Sequence, residues 1–211
     1  MNKFAIYAYS EESGYITSCP VYNNSFRVSI LLHLPALTFI KNIVEIQNIA
    51  KLNRLNLCGL KDEGIKTFGS IFILSSDFSI ETSEMRIMES IEKTTREIIK
   101  LESETRENFI TEHNDRVEDR IYRSYGLLKY ARRIGYVEAM DYLSDIRLGI
   151  ILSVIRNLEL QKVNDLMINI KWHHLQNIAK KNFNNSIEGD FYRASYIRNQ
   201  LEWSTIYGQF H

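Results

Sequence analysis

The chain has 211 residues, 45% of them hydrophobic, which is enough to bury a substantial core in one domain or in one domain with a helical extension. Lys and Arg together number 26 and so do Asp and Glu, and this balance excludes the basic field typical of proteins that bind nucleic acid or anionic membranes. Two cysteines, Cys19 and Cys58, fit neither a disulfide framework nor a zinc site, and no apolar run approaches the roughly 20 residues of a membrane helix. We therefore expect a soluble cytoplasmic protein without a bound metal.

The first part of the chain has the pattern of a sheet covered by a helix. Residues 4–9 and 15–18 are rich in aromatic and β-branched residues and flank a turn at 10–14, which predicts a hairpin. A longer strand is expected over 27–34, ended by Pro35, and apolar residues at helical spacing predict a helix over 37–52. Short apolar strands at 55–60 and 70–74 flank a loop at 61–64, so we expect a mainly antiparallel sheet.

From Ser83 onward the pattern is helical almost without interruption, and both prolines precede it. Ser83 is a candidate cap for a long charged helix, and further helices are predicted over 117–133, 137–158, 163–170, 172–180 and 187–206. The fold class is therefore α+β, with a sheet portion at 1–115 and a helical portion at 116–211.

Several local strings resemble a known family. GYITSCP at 14–20, followed by RVSILLHLPAL at 27–37, resembles the segment of ATP:guanido phosphotransferases that contains the active-site cysteine and a nucleotide-contacting arginine. DRVEDRIYRSYGLL at 115–128 and LSDIRLGI at 143–150 resemble the helical region of the bacterial protein-arginine kinases, the branch most similar to this chain. The resemblance implies a guanido-kinase-like catalytic domain, represented by its C-terminal portion and followed by the helical region.

The resemblance assigns a partial nucleotide site and a vestigial catalytic cysteine. Arg27 would contact an ATP phosphate, Cys19 would be the active-site thiol, and Glu63 would lie in the later nucleotide loop with Gly59 and Gly64. Each has a plainer interpretation, because a strand-end arginine is commonly solvated, a lone cysteine is commonly buried packing, and a loop carboxylate is commonly solvated. Glu63 could also reach the acceptor.

The departures from the family pattern argue against catalysis. Residues 21–26 read VYNNSF where the family has a Thr-Asn pair and a Gly-Thr-Gly turn, Cys58 stands at an arginine position, and Asp62 stands at a glycine position. The upstream family segments with the acidic residues and further phosphate-binding arginines have no counterpart here. Phosphoryl transfer needs an aligned acceptor and compensated phosphate charge, so we expect no activity from this chain, no required cofactor, and weak Mg-ATP binding at most.

The string GDFYRA at 189–194 resembles an Arg-Asp-x-x-Arg-Ala motif that receives phosphoarginine in the family's helical region. Asp190, Arg193 and Ala194 match it, whereas Gly189 replaces the first arginine. On a helix Asp190 and Arg193 share a face, so the carboxylate could hold a guanidinium while the arginine holds a phosphate. The alternative is an ordinary surface ion pair. Asn185 with Glu188 three residues later predicts the helix start.

Two other clusters favour structural roles. His173 and His174 follow Trp172, but adjacent histidines without acidic or cysteine ligands are a weak metal signal. The aromatic residues near the end of the chain, Phe191, Tyr192, Tyr196, Trp203 and Tyr207, are more typical of helix packing than of base stacking.

The leading hypothesis is therefore a noncatalytic arginine-kinase-like protein that binds phosphoarginine-bearing proteins or other protein partners. The resemblance implies a role near a stress-response unfoldase-protease system. A second hypothesis is a half-enzyme that transfers phosphate from ATP to protein arginine when a separate chain supplies the missing half, and a third is a remnant that keeps only the fold. A homo-oligomer is compatible with each.

Overall fold

The computed structural model describes residues 9–10, 14–15, 27–60, 67–76, 84–112 and 114–201. Among these, β1 (Tyr9–Ser10) pairs antiparallel with β2 (Gly14–Tyr15), as the predicted hairpin requires. A three-stranded antiparallel sheet follows, in which β3 (Ser29–His33) and β4 (Leu55–Gly59) flank β5 (Ile71–Ser76). With the helices described below, this confirms the α+β class and its antiparallel sheet.

The prediction of a single helix over 37–52 is wrong. The structure has α1 (Pro35–Phe39) and α2 (Ile43–Leu52), separated by Lys41 in the left-handed region with φ of 59°. The break changes the phase of the buried face, so that Ile43 is buried while Ile40 and Val44 are 42% and 62% exposed. Neither glycine nor proline marks this break in the sequence.

The long α3 (Glu84–Glu112) covers the sheet, as the charged helix predicted after Ser83 requires, although Ser83 itself lies outside the described residues. Ile87, Ile91 and Ile98 recur at helical spacing and are buried in one core with strand and α2 residues. Farther along α3, the two Glu102 carboxylate oxygens accept hydrogen bonds from the Ala36 and Leu37 amides, both at 3.0 Å. Glu102 therefore caps α1, which has no side-chain cap of its own.

Between residues 114 and 201 the structure has five helices: α4 (Asn114–Tyr130), α5 (Tyr136–Ile151), α6 (Leu160–Asn169), α7 (Trp172–Ala179) and α8 (Ser186–Gln200). They agree with the predicted helices except at the ends. The helix predicted over 137–158 ends at Ile151, just before Ser153 adopts a left-handed φ of 60°. The segment 202–206, predicted to continue α8, lies outside the described residues.

The helical core joins α4, α5, α6 and α8 and includes Ile121, Leu143, Val163 and Ile197. Gly149 allows α5 to approach α4 closely, because a Cβ there would lie 2.7 Å from Ile121 Cγ2. In the described part of the chain, no helix combines the length and apolarity needed to cross a bilayer.

Within the described residues two buried hydroxyls on α3, those of Thr94 and Thr95, have no hydrogen-bond partner, and removal of the Thr94 hydroxyl should stabilise the protein. Thr94 on α3 is fully buried, and within the described residues its hydroxyl has no hydrogen-bond partner. Valine has nearly the same shape and helix propensity, so Thr94→Val should raise the free energy of unfolding by about 1 kcal/mol. Denaturant unfolding at equilibrium measures this change.

Thr105→Val is the matched control, because the Thr105 hydroxyl donates to the Leu101 carbonyl at 2.7 Å and its removal should bring no gain. A lower unfolding free energy for Thr94→Val would contradict the assignment of an unsatisfied hydroxyl.

Candidate functional site

The structure describes part of the predicted nucleotide site. Arg27 is exposed and precedes β3, whereas Gly59 is buried at the end of β4. The sheet register places Ser29 and Asn56 opposite Ser75, so Arg27 lies beyond that end, while Gly59 pairs with Phe72 near the other end. The sheet alone therefore does not bring Arg27 and Gly59 together. Cys19, Glu63 and Gly64 lie outside the described residues.

Cys58 has a packing environment. It is partly buried on β4, and its Sγ lies 3.8 Å from the Ile73 carbonyl oxygen on the neighbouring strand. Among the described residues there is no group of three or more histidine, cysteine or acidic side chains that could hold a metal ion. His173 and His174, both exposed on α7, accordingly have no such partners there.

The structure brings Asp190 and Arg193 together on α8. Arg193 is only 2% exposed, and its Nη1 donates to Asp190 Oδ1 at 2.5 Å. The same Nη1 donates to the Ile134 carbonyl at 2.9 Å, and Nε donates to the Ile170 carbonyl at 3.0 Å. The pair is therefore not an ordinary surface ion pair, because its cation is buried and engaged by backbone carbonyls.

Asp190 is the exposed member of this pair. Its side chain is 25% exposed, and in the described part of the chain only Oδ1 has a hydrogen-bond partner. Its backbone carbonyl accepts a bond of 3.3 Å from the Ile134 amide, which fixes this turn of α8 against the loop before α5. Asp190 thus presents a carboxylate oxygen at the surface, on a turn of α8 that is fixed by the backbone bond to Ile134. This oxygen is a suitable partner for a guanidinium group.

The position of the missing first arginine is filled from another helix. Gly189 is buried, and a Cβ built on it would lie 2.3 Å from Cζ3 of Trp172 on α7. Trp172 packs edge-to-face on Phe183 at 5.4 Å, and Phe183 lies 5.3 Å from Tyr192 on α8. These aromatic residues therefore serve helix packing, and no side chain fits at position 189 while the indole stays in place.

The start of α8 is built as the sequence predicts. The Asn185 side-chain oxygen accepts a hydrogen bond from the Glu188 amide at 2.9 Å. Glu188 in turn accepts a bond from the Asn184 amide and pairs with Lys181 at 2.5 Å. The contacts with Lys181 and Asn184 lower the pKa of Glu188. The first turn of α8, which precedes Asp190, is thus capped by its own side chains.

Sequence reasoning missed a polar network between the sheet and the helical part. The Arg147 guanidinium donates to His33 Nδ1 at 2.5 Å and to Asn164 Oδ1 at 2.8 Å. Since His33 Nδ1 accepts, the proton is on Nε2, which donates to the Ser144 hydroxyl at 2.8 Å. Burial, followed by the charges of Arg147 and Arg106, lowers the pKa of His33 to about 3. No local signal relates residues more than 100 positions apart.

Two protein-family models match different segments of this chain. Residues 1–105 match the model of the ATP:guanido phosphotransferase C-terminal catalytic domain, and residues 114–207 match that of the protein-arginine kinase McsB C-terminal domain. The chain is similar to the protein-arginine kinases of Pelotomaculum thermopropionicum (32% identity, 95% of this chain and 56% of the relative), Geobacillus sp. strain WCH70 (37%, 93% and 54%) and Bacillus subtilis strain 168 (36%, 92% and 54%). It spans a little over half of each relative's length.

The lowered pKa of His33 predicts a loss of stability in acid. The unfolded chain takes up a proton near the ordinary pKa of 6.5, whereas the folded protein excludes it until about pH 3. His33 should therefore reduce the free energy of unfolding by up to about 1.4 kcal/mol per pH unit as the pH falls from 6.5 toward 3.

Other acids also titrate in this range, so the measurement is the difference between wild type and His33→Gln across the pH series. Wild type should lose stability relative to this variant as the pH falls. His174→Gln is the matched control for removal of an exposed imidazole. A difference that stays constant with pH would show that the folded protein does not keep His33 neutral.

Proposed function

Since this chain belongs to the protein-arginine kinase family of ATP:guanido phosphotransferases and corresponds to its C-terminal portion, we propose that it is a noncatalytic member that binds phosphoarginine on partner proteins. The observation that carries the proposal is the Asp190 carboxylate, held at the surface by a buried arginine with one oxygen available among the described residues. A carboxylate in this setting suits the guanidinium end of the ligand.

Within this proposal the two matched residues have different tasks. Asp190 contacts the guanidinium of the ligand. Arg193 takes part by holding Asp190, because its guanidinium is buried and already donates to the carbonyls of Ile134 and Ile170. A direct phosphate contact from Arg193 would require it to leave those carbonyls, at the cost of unsatisfied buried groups.

The noncatalytic part of the proposal rests on positioning. Transfer of a phosphoryl group requires the nucleotide, the acceptor and compensating cations to be held in register. Arg27 and Gly59 are near opposite ends of the sheet, and Cys58 occupies the position of a family arginine. We accordingly expect Mg-ATP to bind weakly or not at all, and no cofactor to be needed. A cytoplasmic role beside a stress-response unfoldase-protease system completes the proposal.

A second candidate function is the half-enzyme complemented in trans. The observation that favours it is the sheet edge: within the described residues β3 and β4 each pair only with β5. An open strand edge presents unpaired amides and carbonyls that a strand from another chain can extend. In this case the partner would be the N-terminal half of an arginine kinase, and transfer from ATP to protein arginine would appear only in the complex.

Asp190→Asn should weaken binding of a phosphoarginine peptide by about tenfold or more, because it removes the charge that pairs with the guanidinium. Calorimetric titration of the full chain measures the affinity, and circular dichroism checks the fold. Asp165→Asn on α6 is the matched control, since this exposed carboxylate accepts a hydrogen bond from Gln161 in the same helix. Equal affinities for wild type and Asp190→Asn would contradict the assigned site.

The isolated chain should transfer no phosphate from labelled ATP to an arginine-rich protein. Acid-labile label on arginine that is lost in Arg27→Ala and kept in Arg86→Ala, an exposed arginine of α3, would contradict the noncatalytic proposal. Transfer that appears only after coexpression with the N-terminal half of a related kinase would establish the second candidate.

A further inference from the structure

The loop between α4 and α5, residues 131–135, is fastened to α8 beside Asp190. The Ile134 amide donates to the Asp190 carbonyl at 3.3 Å, and its carbonyl accepts from Arg193 at 2.9 Å. At the start of the loop, Arg198 Nη1 donates to the Ala131 carbonyl. These three bonds hold the loop backbone against α8 on both sides of the loop's centre.

Two arginines project from the centre of this fastened loop. Arg132 and Arg133 are both exposed, and in the part of the chain that the structure describes neither forms a hydrogen bond or ion pair. A single atom, Arg193 Nη1, binds both the Ile134 carbonyl and Asp190 Oδ1. The carboxylate therefore shares a donor with the backbone carbonyl of Ile134, the residue that follows Arg133, which places the loop arginines close to Asp190 in the fold.

Two other cations near this part of α8 are occupied. The guanidinium of Arg193 is buried against carbonyls, and Lys181 pairs with Glu188 at 2.5 Å. Position 189 can carry no side chain while Trp172 packs on it. The two exposed arginines of the loop are guanidinium donors suited to an anion beside Asp190.

We propose that Arg132 and Arg133 bind the phosphate of a phosphoarginine side chain while Asp190 binds its guanidinium. This assignment rests on the proposed function and names the residues that would give the site its preference for the phosphorylated ligand. In phosphoarginine the phosphoryl group is bonded directly to a guanidinium nitrogen, so a site for it needs a carboxylate and cations within a few ångströms of each other. Arginine forks also match the oxygens of a phosphate.

The test is calorimetric titration of the full chain with free phosphoarginine, arginine and inorganic phosphate at one ionic strength. Arg132→Ala/Arg133→Ala should lower the affinity for phosphoarginine by about tenfold or more, as expected for loss of charge-assisted contacts, and leave the affinity for arginine nearly unchanged. Arg132→Lys/Arg133→Lys should keep part of the preference, because the charge remains while the fork is lost. Arg86→Ala, which removes an exposed arginine on α3, is the matched control.

The outcomes separate this assignment from the function on which it rests. If the double alanine variant binds phosphoarginine as wild type does, while Asp190→Asn does not, the arginine assignment is overturned and the proposed function stands. If wild type binds phosphoarginine no better than arginine, both are overturned. A loss of affinity for arginine and phosphoarginine alike in the double alanine variant would mean that the loop only supports Asp190, and would also overturn the assignment.

Discussion

The buried guanidinium of Arg193 is the interaction on which the helical part depends. Removing an arginine from water is costly, and here the cost is offset by the carbonyls of Ile134 and Ile170 together with the Asp190 carboxylate. Those partners belong to the loop before α5, to the residue that follows α6, and to α8 itself. Because the loss of any one partner would leave a buried charge incompletely hydrogen-bonded, α8 must pack in the position that supplies all three partners. The orientation of Asp190 at the surface follows from this buried constraint.

The sheet and helical parts, which match two separate family models, make both polar and apolar contacts with each other. His33 on β3 bonds Ser144 and Arg147 of α5, and the Gly69 amide before β5 donates to Asp141 Oδ1 at 2.6 Å. Gly69 has a φ of 63°, and a Cβ there would lie 3.1 Å from the Met140 carbonyl, so the approach requires a glycine. Beside these polar contacts, Ala36 of α1 is buried in the helical core, and Phe68 and Ile71 pack against that core.

Local sequence patterns were sufficient to predict most helices and strands and one helix cap. Strand periodicity placed β3, β4 and β5 to within a few residues, and Asn185 with Glu188 identified the start of α8, because alternation and capping depend on neighbours in sequence. The break at Lys41 was missed because a lysine rarely adopts a left-handed φ and no glycine or proline marks it.

The candidate site shows a different limit of sequence reasoning. The motif resemblance identified Asp190 and Arg193 and their shared face, but the spacing of two charges on a helix does not reveal that one of them is buried. The burial of Arg193 depends on carbonyls 23 and 59 residues away, and the junction at His33 depends on residues 111 and 114 positions away. Such contacts are set by the packing of whole elements, which no single-sequence pattern encodes.

The contact between Gly189 and Trp172 makes the permitted size of these two residues interdependent. With the indole in place, even an alanine at position 189 would bring its Cβ to 2.3 Å from the ring, so glycine is the tolerated residue. A side chain at position 189 therefore needs a smaller residue at position 172. Without that second change, the added volume would displace α7 from α8 and cost packing energy. The two positions thus share one fixed volume between two helices, and substitutions there are compatible only as a pair.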